Sequence, residues 1–116
     1  MDIYHVWCDL RPGVRDMHFH ENVALCMNNL RVGGLIESWR LTRRKPGFGP
    51  FELGDWHLMI EVRDLRQLED TFRRMAARAE PEEGMHHTMN ALVTNARFSL
   101  TRDFPDPARE RGQQPC

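Results

Sequence analysis

Residues 55 to 62, DWHLMIEV, alternate without a break. Trp56, Leu58, Ile60 and Val62 fall on one side, and Asp55, His57, Met59 and Glu61 on the other. Consecutive side chains of a strand point to opposite faces, whereas a helix, with a period of about 3.6 residues, would scatter this pattern around its axis. The stretch therefore reads as a strand with one wholly apolar face that must be covered. Its other face carries an imidazole and a carboxylate on either side of a methionine.

The rest of the chain is organised around similar stretches. Residues 3 to 10, IYHVWCDL, place Tyr4, Val6, Cys8 and Leu10 opposite Ile3, His5, Trp7 and Asp9, and RPG then breaks the strand. Asp16 is expected to cap a helix running to about residue 32, in which Phe19, Val23, Cys26 or Met27, and Leu30 recur at helical spacing. Gly33 and Gly34 supply its stop. Residues 35 to 44 predict a second strand, with Leu35, Trp39 and Leu41 on its apolar face and Ser38, Arg40, Thr42 and Arg44 on the other. KPGFGPFELG, with two prolines and three glycines, is a loop longer than the usual hairpin connection.

After the third strand, Asp64 opens a second helix, and Gln67 gives an imperfect capping box. Leu65, Leu68, Phe72, Met75 and Ala79 form the expected apolar stripe. A short third helix is predicted from about Met85 to Val93. Residues 95 to 103 alternate again, with Ala96, Phe98 and Leu100 opposite Arg97, Ser99 and Thr101.

The order strand, helix, strand, strand, helix, short helix, strand is the ferredoxin-like βαββαβ pattern of an α+β fold. It predicts a four-stranded antiparallel sheet with both helices on one face. Residues 1–104 make the one domain expected, and 105–116 form a proline-rich, charged tail. Apolar residues make up 41% of the chain, enough for a core, so a disordered protein is disfavoured. The net charge of −1 disfavours a nucleic-acid partner, because phosphate binding needs surplus positive charge. Cys8, Cys26 and Cys116 are odd in number and match no zinc or CxxC spacing. No run reaches the roughly 18 apolar residues of a membrane span, and the sequence shows no charged leader with an apolar core. A soluble protein of a reducing, bacterial-type cytoplasm is expected, with no membrane partner.

On the sheet face away from the helices, Ile3, Trp7 and Met59 would leave an apolar patch on the two middle strands. A homodimer with the two sheets face to face covers it. The polar members of the face would then line the space between the sheets and need partners there.

The stretches YHVWCDL (4 to 10), WRLTRRK with GFGP (39 to 50), WHLMIEV (56 to 62) and RDFPDP (102 to 107) resemble the dimeric α+β barrel superfamily. More narrowly, they are similar to an uncharacterised bacterial family within it. The resemblance implies a twofold dimer with a cleft. It leaves the reaction open, since the superfamily includes cofactor-independent monooxygenases, haem-degrading enzymes, polyketide cyclases, chlorite dismutase-like enzymes and stress-induced proteins.

Three readings compete for the polar groups of that face. His5 and His57, on adjacent middle strands with Glu61 and Asp9 in reach, are candidate catalytic groups with Glu61, because an imidazole titrates near neutrality. The same His5, His57 and Glu61 are a weak candidate metal set, lacking any tight spacing motif, and neither metal nor cofactor is expected. Alternatively, these groups only satisfy one another inside a structural dimer. Trp7, Arg40, Met59, His86 and Arg97 are the candidate ligand-binding residues, with Arg40 placed to anchor an anionic end. Arg40, Arg43, Arg44 and Lys45 match no phosphate-binding loop; acidic partners across the dimer are their simpler fate. His18 and His20 lie two apart on a helix and are read as exposed. The expectation is thus a homodimer holding a small aromatic or apolar ligand, with acid–base chemistry or cofactor-independent oxygenation as the reaction class if it is an enzyme. A non-catalytic structural homodimer and a metal-binding protein are the alternatives.

Overall fold

The computed structural model describes residues 1–76 and 89–106. The chain runs β1 (Asp2–Leu10), α1 (Asp16–Val32), β2 (Ser38–Arg43), β3 (Trp56–Val62), α2 (Leu65–Ala76) and β4 (Val93–Arg102). The four strands form one antiparallel sheet in the order β2-β3-β1-β4, so the two alternating strands picked out in the sequence are its centre. The ferredoxin-like α+β architecture stands.

The core forms where the alternation requires it. Trp56, Leu58, Ile60 and Val62 of β3 are all buried, together with Cys8 of β1, against Phe19, Val23, Cys26, Met27 and Leu30 of α1. Each fully buried aliphatic side chain contributes about 1.5–3 kcal/mol. The α1 stop is a Schellman turn: Gly34, at φ 75°, donates to Arg31 O, and Leu35 donates to Leu30 O. At the other end Arg15 holds the capping position without a side-chain bond. Asp16 is instead the first helical residue, its Oδ1 accepting from Met17 N–H at 2.7 Å. Its charge at the helix start remains favourable.

Two expectations about apolar faces need correction. The buried side of α2 is Gln67, Leu68 and Thr71, while Leu65 and Phe72 are exposed. Hydrogen bonds set that rotation. Gln67 Nε2 donates to Gly34 O and to Glu37 Oε2, and the Thr71 hydroxyl donates to Leu35 O. These bonds fasten α2 to the turn that ends α1, through two polar side chains that the apolar pattern ignores. Half of the capping box is formed, with Asp64 Oδ1 accepting from Gln67 N–H; Gln67 Oε1 reaches one residue further back and accepts from Arg63 N–H. The second correction is β4, where Phe98 is 62% and Leu100 46% exposed. Among the described residues the helices approach β2 and β3 most closely, and β4 lies at the far edge of the sheet.

Some boundaries also move. β2 begins at Ser38, because Leu35 is tied to the helix end and Ile36 is buried in the core. Residues 89–91 make a helical turn, but Val93 already belongs to β4. The remainder of the predicted third helix, with His86, lies outside the described residues, as do Ala79 and most of the tail. Among the described residues no helix is long and apolar enough to cross a membrane.

Gln67 is only 3% exposed and serves three backbone or side-chain partners with its one amide. Gln67→Leu keeps the volume and strands those partners, each at a cost of about 1–3 kcal/mol if it cannot reach water. The expected loss is about 2 kcal/mol, read as a fall in the thermal midpoint on the order of 10 °C.

Candidate functional site

Strand register builds the polar face. In the β1–β3 pairing, His5 sits opposite Met59, Trp7 opposite His57 and Ile3 opposite Glu61. In the β1–β4 pairing, His5 faces Ser99, Trp7 faces Arg97 and Ile3 faces Thr101. His5 is therefore diagonal to His57 on one side and to Thr101 on the other. Diagonal neighbours lie within reach of ring side chains. His5 Nδ1 is 2.8 Å from His57 Nε2, and His5 Nε2 is 2.8 Å from Thr101 Oγ1. Trp7 stacks beside both imidazoles, with ring centroids 4.4 Å from His57 and 5.3 Å from His5.

Burial lowers the pKa of both histidines, and at His57 the neighbouring His5 lowers it further. Both rings are thus biased toward the neutral form. A bond between two neutral imidazoles needs a protonated nitrogen on one and a bare nitrogen on the other. The two hydrogen bonds therefore have to be oriented together, from Thr101 through to His57 or in reverse.

Glu61 does not join the pair. It lies four residues from His57 along β3, about 13 Å at strand spacing. Among the described residues none of the side-chain hydrogen bonds reaches its carboxylate, and His5 turns to Thr101 instead. Asp9 is also committed elsewhere: Oδ1 accepts from Asp55 N–H and Oδ2 from Asn95 Nδ2, tying the loop and the start of β4 to β1. Thr101 was on the right face of the sequence pattern, but only the strand order shows that it meets His5.

The basic cluster splits. Arg40 is exposed on the edge strand opposite Met59. Arg43 pairs with Asp16 and lies over the Trp56 ring. Arg44 pairs with Asp55 at 2.8 Å and donates to Leu53 O and Pro50 O, so its acidic partner is in its own chain and its work is to fold the loop. Arg97, exposed opposite Trp7, donates to Ala96 O. Met59 is half-buried between His5 and Arg40, and His18 and His20 are exposed.

The folded loop and the sheet border an open hollow of about 440 Å³, with Trp7, Thr42 and His57 on the sheet side and Phe48, Pro50 and Leu53 on the loop side. A second cavity, of about 280 Å³ and mainly apolar, lies on the helix side of the same sheet, among Tyr4, Val6, Thr71, Phe72, Met75 and Phe98. Sequence reading assigned most of those residues to a filled core and missed the space between them. Among the described residues no cluster of three or more histidine, cysteine or acidic side chains could hold a metal ion. Cys8 is buried beside Asp9, which together push its thiol up to about 11.

The chain belongs to a family of unknown function (DUF6614), which it matches over residues 1–115. No curated protein matches it. Its fold resembles that of a crystallised Arabidopsis thaliana protein, at 6% identity and a TM-score of 0.72, covering 91% of this chain and 98% of that one. It also resembles SnoaB, described as a cofactor-independent oxygenase of Streptomyces nogalater, at 13% identity and a TM-score of 0.65, over 90% of this chain and 97% of SnoaB. A third structure, a dimeric protein of unknown function and ferredoxin-like fold from Bacteroides fragilis, matches at 11% identity and a TM-score of 0.56, over 88% and 96% of the two chains. At these identities the likeness establishes the fold.

Proposed function

We propose that the chain is a homodimer that binds a small aromatic or otherwise apolar molecule against the Trp7 face of its sheet, where the His5–His57 pair takes up or supplies a proton. The observation that carries this reading is the imidazole pair itself, hydrogen-bonded at 2.8 Å and stacked beside Trp7 at the edge of a 440 Å³ hollow. Aromatic walls with a few convergent polar groups are what small-molecule sites are made of. A neutral imidazole is a competent base near neutral pH.

A second copy would cover Ile3, Trp7 and Met59 and close the hollow, and the dimeric description of the Bacteroides fragilis structure supports this. Arg40 and Arg97 flank the pair and would hold an anionic end of the ligand. Proton abstraction from an activated carbon or phenol, followed by oxygenation without a cofactor, is the reaction class that fits, and SnoaB's description lends it support.

The test is a thermal-shift screen with phenols and aromatic acids. A ligand at 100 times its Kd should stabilise the wild type by about 2.7 kcal/mol, and His57→Ala should abolish that gain. Equal stabilisation of wild type and His57→Ala overturns the assignment. The helix-side cavity supports a second reading, in which the ligand enters between sheet and helices. Such a ligand would be insensitive to His57→Ala and would be excluded by Val6→Phe.

A further inference from the structure

We propose that His57, His5 and Thr101 form a proton relay, with His57 as the end that meets the ligand and Thr101 as the end that meets water. The proposal rests on the acid–base reading of this face and goes beyond it by giving the proton a path and each residue a place along it.

The geometry supplies both ends. His57 lines the hollow, and its Nε2 is engaged by His5, which leaves Nδ1 as the nitrogen available to a ligand. Thr101 is exposed on β4, the edge strand, one residue before the Arg102–Asp2 pair that ends its ladder with β1. Between them every link is 2.8 Å long. The relay starts from one of the two orientations the chain allows: His57 Nε2–H donates to His5 Nδ1, His5 Nε2–H donates to Thr101 Oγ1, and His57 Nδ1 is bare.

The transfer balances without any further reagent. A proton leaves the ligand and bonds to His57 Nδ1. The Nε2 proton of His57 passes to His5 Nδ1, and the Nε2 proton of His5 passes to Thr101 Oγ1. The original hydroxyl proton of Thr101 goes to water. One proton has left the ligand, one has reached solvent, and both rings end neutral in the opposite tautomer. No ring has to hold a lasting charge, which suits two imidazoles whose burial disfavours the cation. In this scheme His57 touches the substrate and is catalytic, while His5 and Thr101 act through it as positioning residues.

Other charged groups bear on the pair from each neighbouring element: Arg40 from β2, Glu61 from β3, Asp9 from β1, Arg97 from β4, and Lys45 and Asp55 from the loop. None of their side chains hydrogen-bonds to either imidazole among the described residues, so the protons of the pair are governed first by each other and by Thr101.

Long-range proton–nitrogen correlation spectra of the ¹⁵N-labelled protein, recorded without ligand, test the relay directly. At neutral pH the wild type should show complementary tautomers on His5 and His57. On acidification the first proton taken up should move the nitrogen signals of both rings in a single shared step. Thr101→Val, a substitution of equal size on an exposed strand position, should remove the His5 tautomer preference and split the shared step, and Thr101→Ser should restore both. Independent titration of the two rings in the wild type, or Thr101→Val spectra identical to wild type, overturns the relay. The outcome is separable from the binding claim. A His57-dependent ligand with independent rings would sink the relay alone, and coupled rings in a protein that binds no ligand would sink the acid–base function alone.

Discussion

Gly54→Ala should destabilise the protein by about 3 kcal/mol, at the upper end for a single added methyl in a packed site. Gly54 is buried, and a Cβ built on it would overlap the carbonyl of Cys8 and sit 2.7 Å from its Cα. Those are backbone atoms of a central strand, paired opposite Trp56, so no rotamer can yield. The residues on either side are also pinned. Leu53 O accepts from Arg44, and Asp55 N–H donates to Asp9. The loop would have to lift off β1, deforming the hollow beside Trp7 and His57. A urea titration should show the loss, while Gly33→Ala, whose Cβ comes no nearer than 3.5 Å to a neighbour, should cost little by comparison.

Met59→Arg should yield a folded single chain in place of a dimer. Met59 lies between His5 on β1 and Arg40 on β2, in the middle of the face assigned to the second copy. An arginine there stands beside Arg40, and closing two sheets over both cations removes them from water with too few partners. Burying an uncompensated charge costs several kcal/mol. Each 1.4 kcal/mol is about a factor of ten, so the dimer should weaken on the order of a hundredfold or more. Size-exclusion chromatography with circular dichroism reads both halves of the prediction. A dimer of unchanged affinity would place the interface elsewhere.

Much of this fold was legible because its central strands alternate. From β1 and β3 the polar and apolar faces followed, the order of elements gave the antiparallel sheet, and helical spacing gave the core residues of α1. What was lost is informative. The rotation of α2 depends on Gln67 and Thr71, whose buried hydrogen bonds carry no apolar signal. The exposure of Phe98 and Leu100 depends on where the helices lie, which alternation within a strand does not encode. At the candidate site, the shared sheet face was enough to bring His5 and His57 together, and Trp7, Arg40, Met59 and Arg97 lie on strands around them. Glu61 was grouped with the imidazoles because it shares their face; it is far from His57 along β3, and though diagonal to His5 it is not the neighbour to which His5 bonds. Thr101 was overlooked as a partner for the converse reason: it is 96 residues from His5 in sequence and becomes a neighbour only through the β1–β4 register. Arg44 was expected to face the cleft and does line the hollow; what went unread is its capture by Asp55 and two loop carbonyls, which reflects loop geometry that no periodicity describes.

The central claim is that a second copy closes over the Trp7 face and shuts the imidazole pair away from bulk water. Sedimentation velocity of the wild-type chain at micromolar concentration is the most direct measurement of it. A single species with the mass of two chains is expected, converted to one chain by Met59→Arg. A species with the mass of one chain at every concentration examined would contradict it.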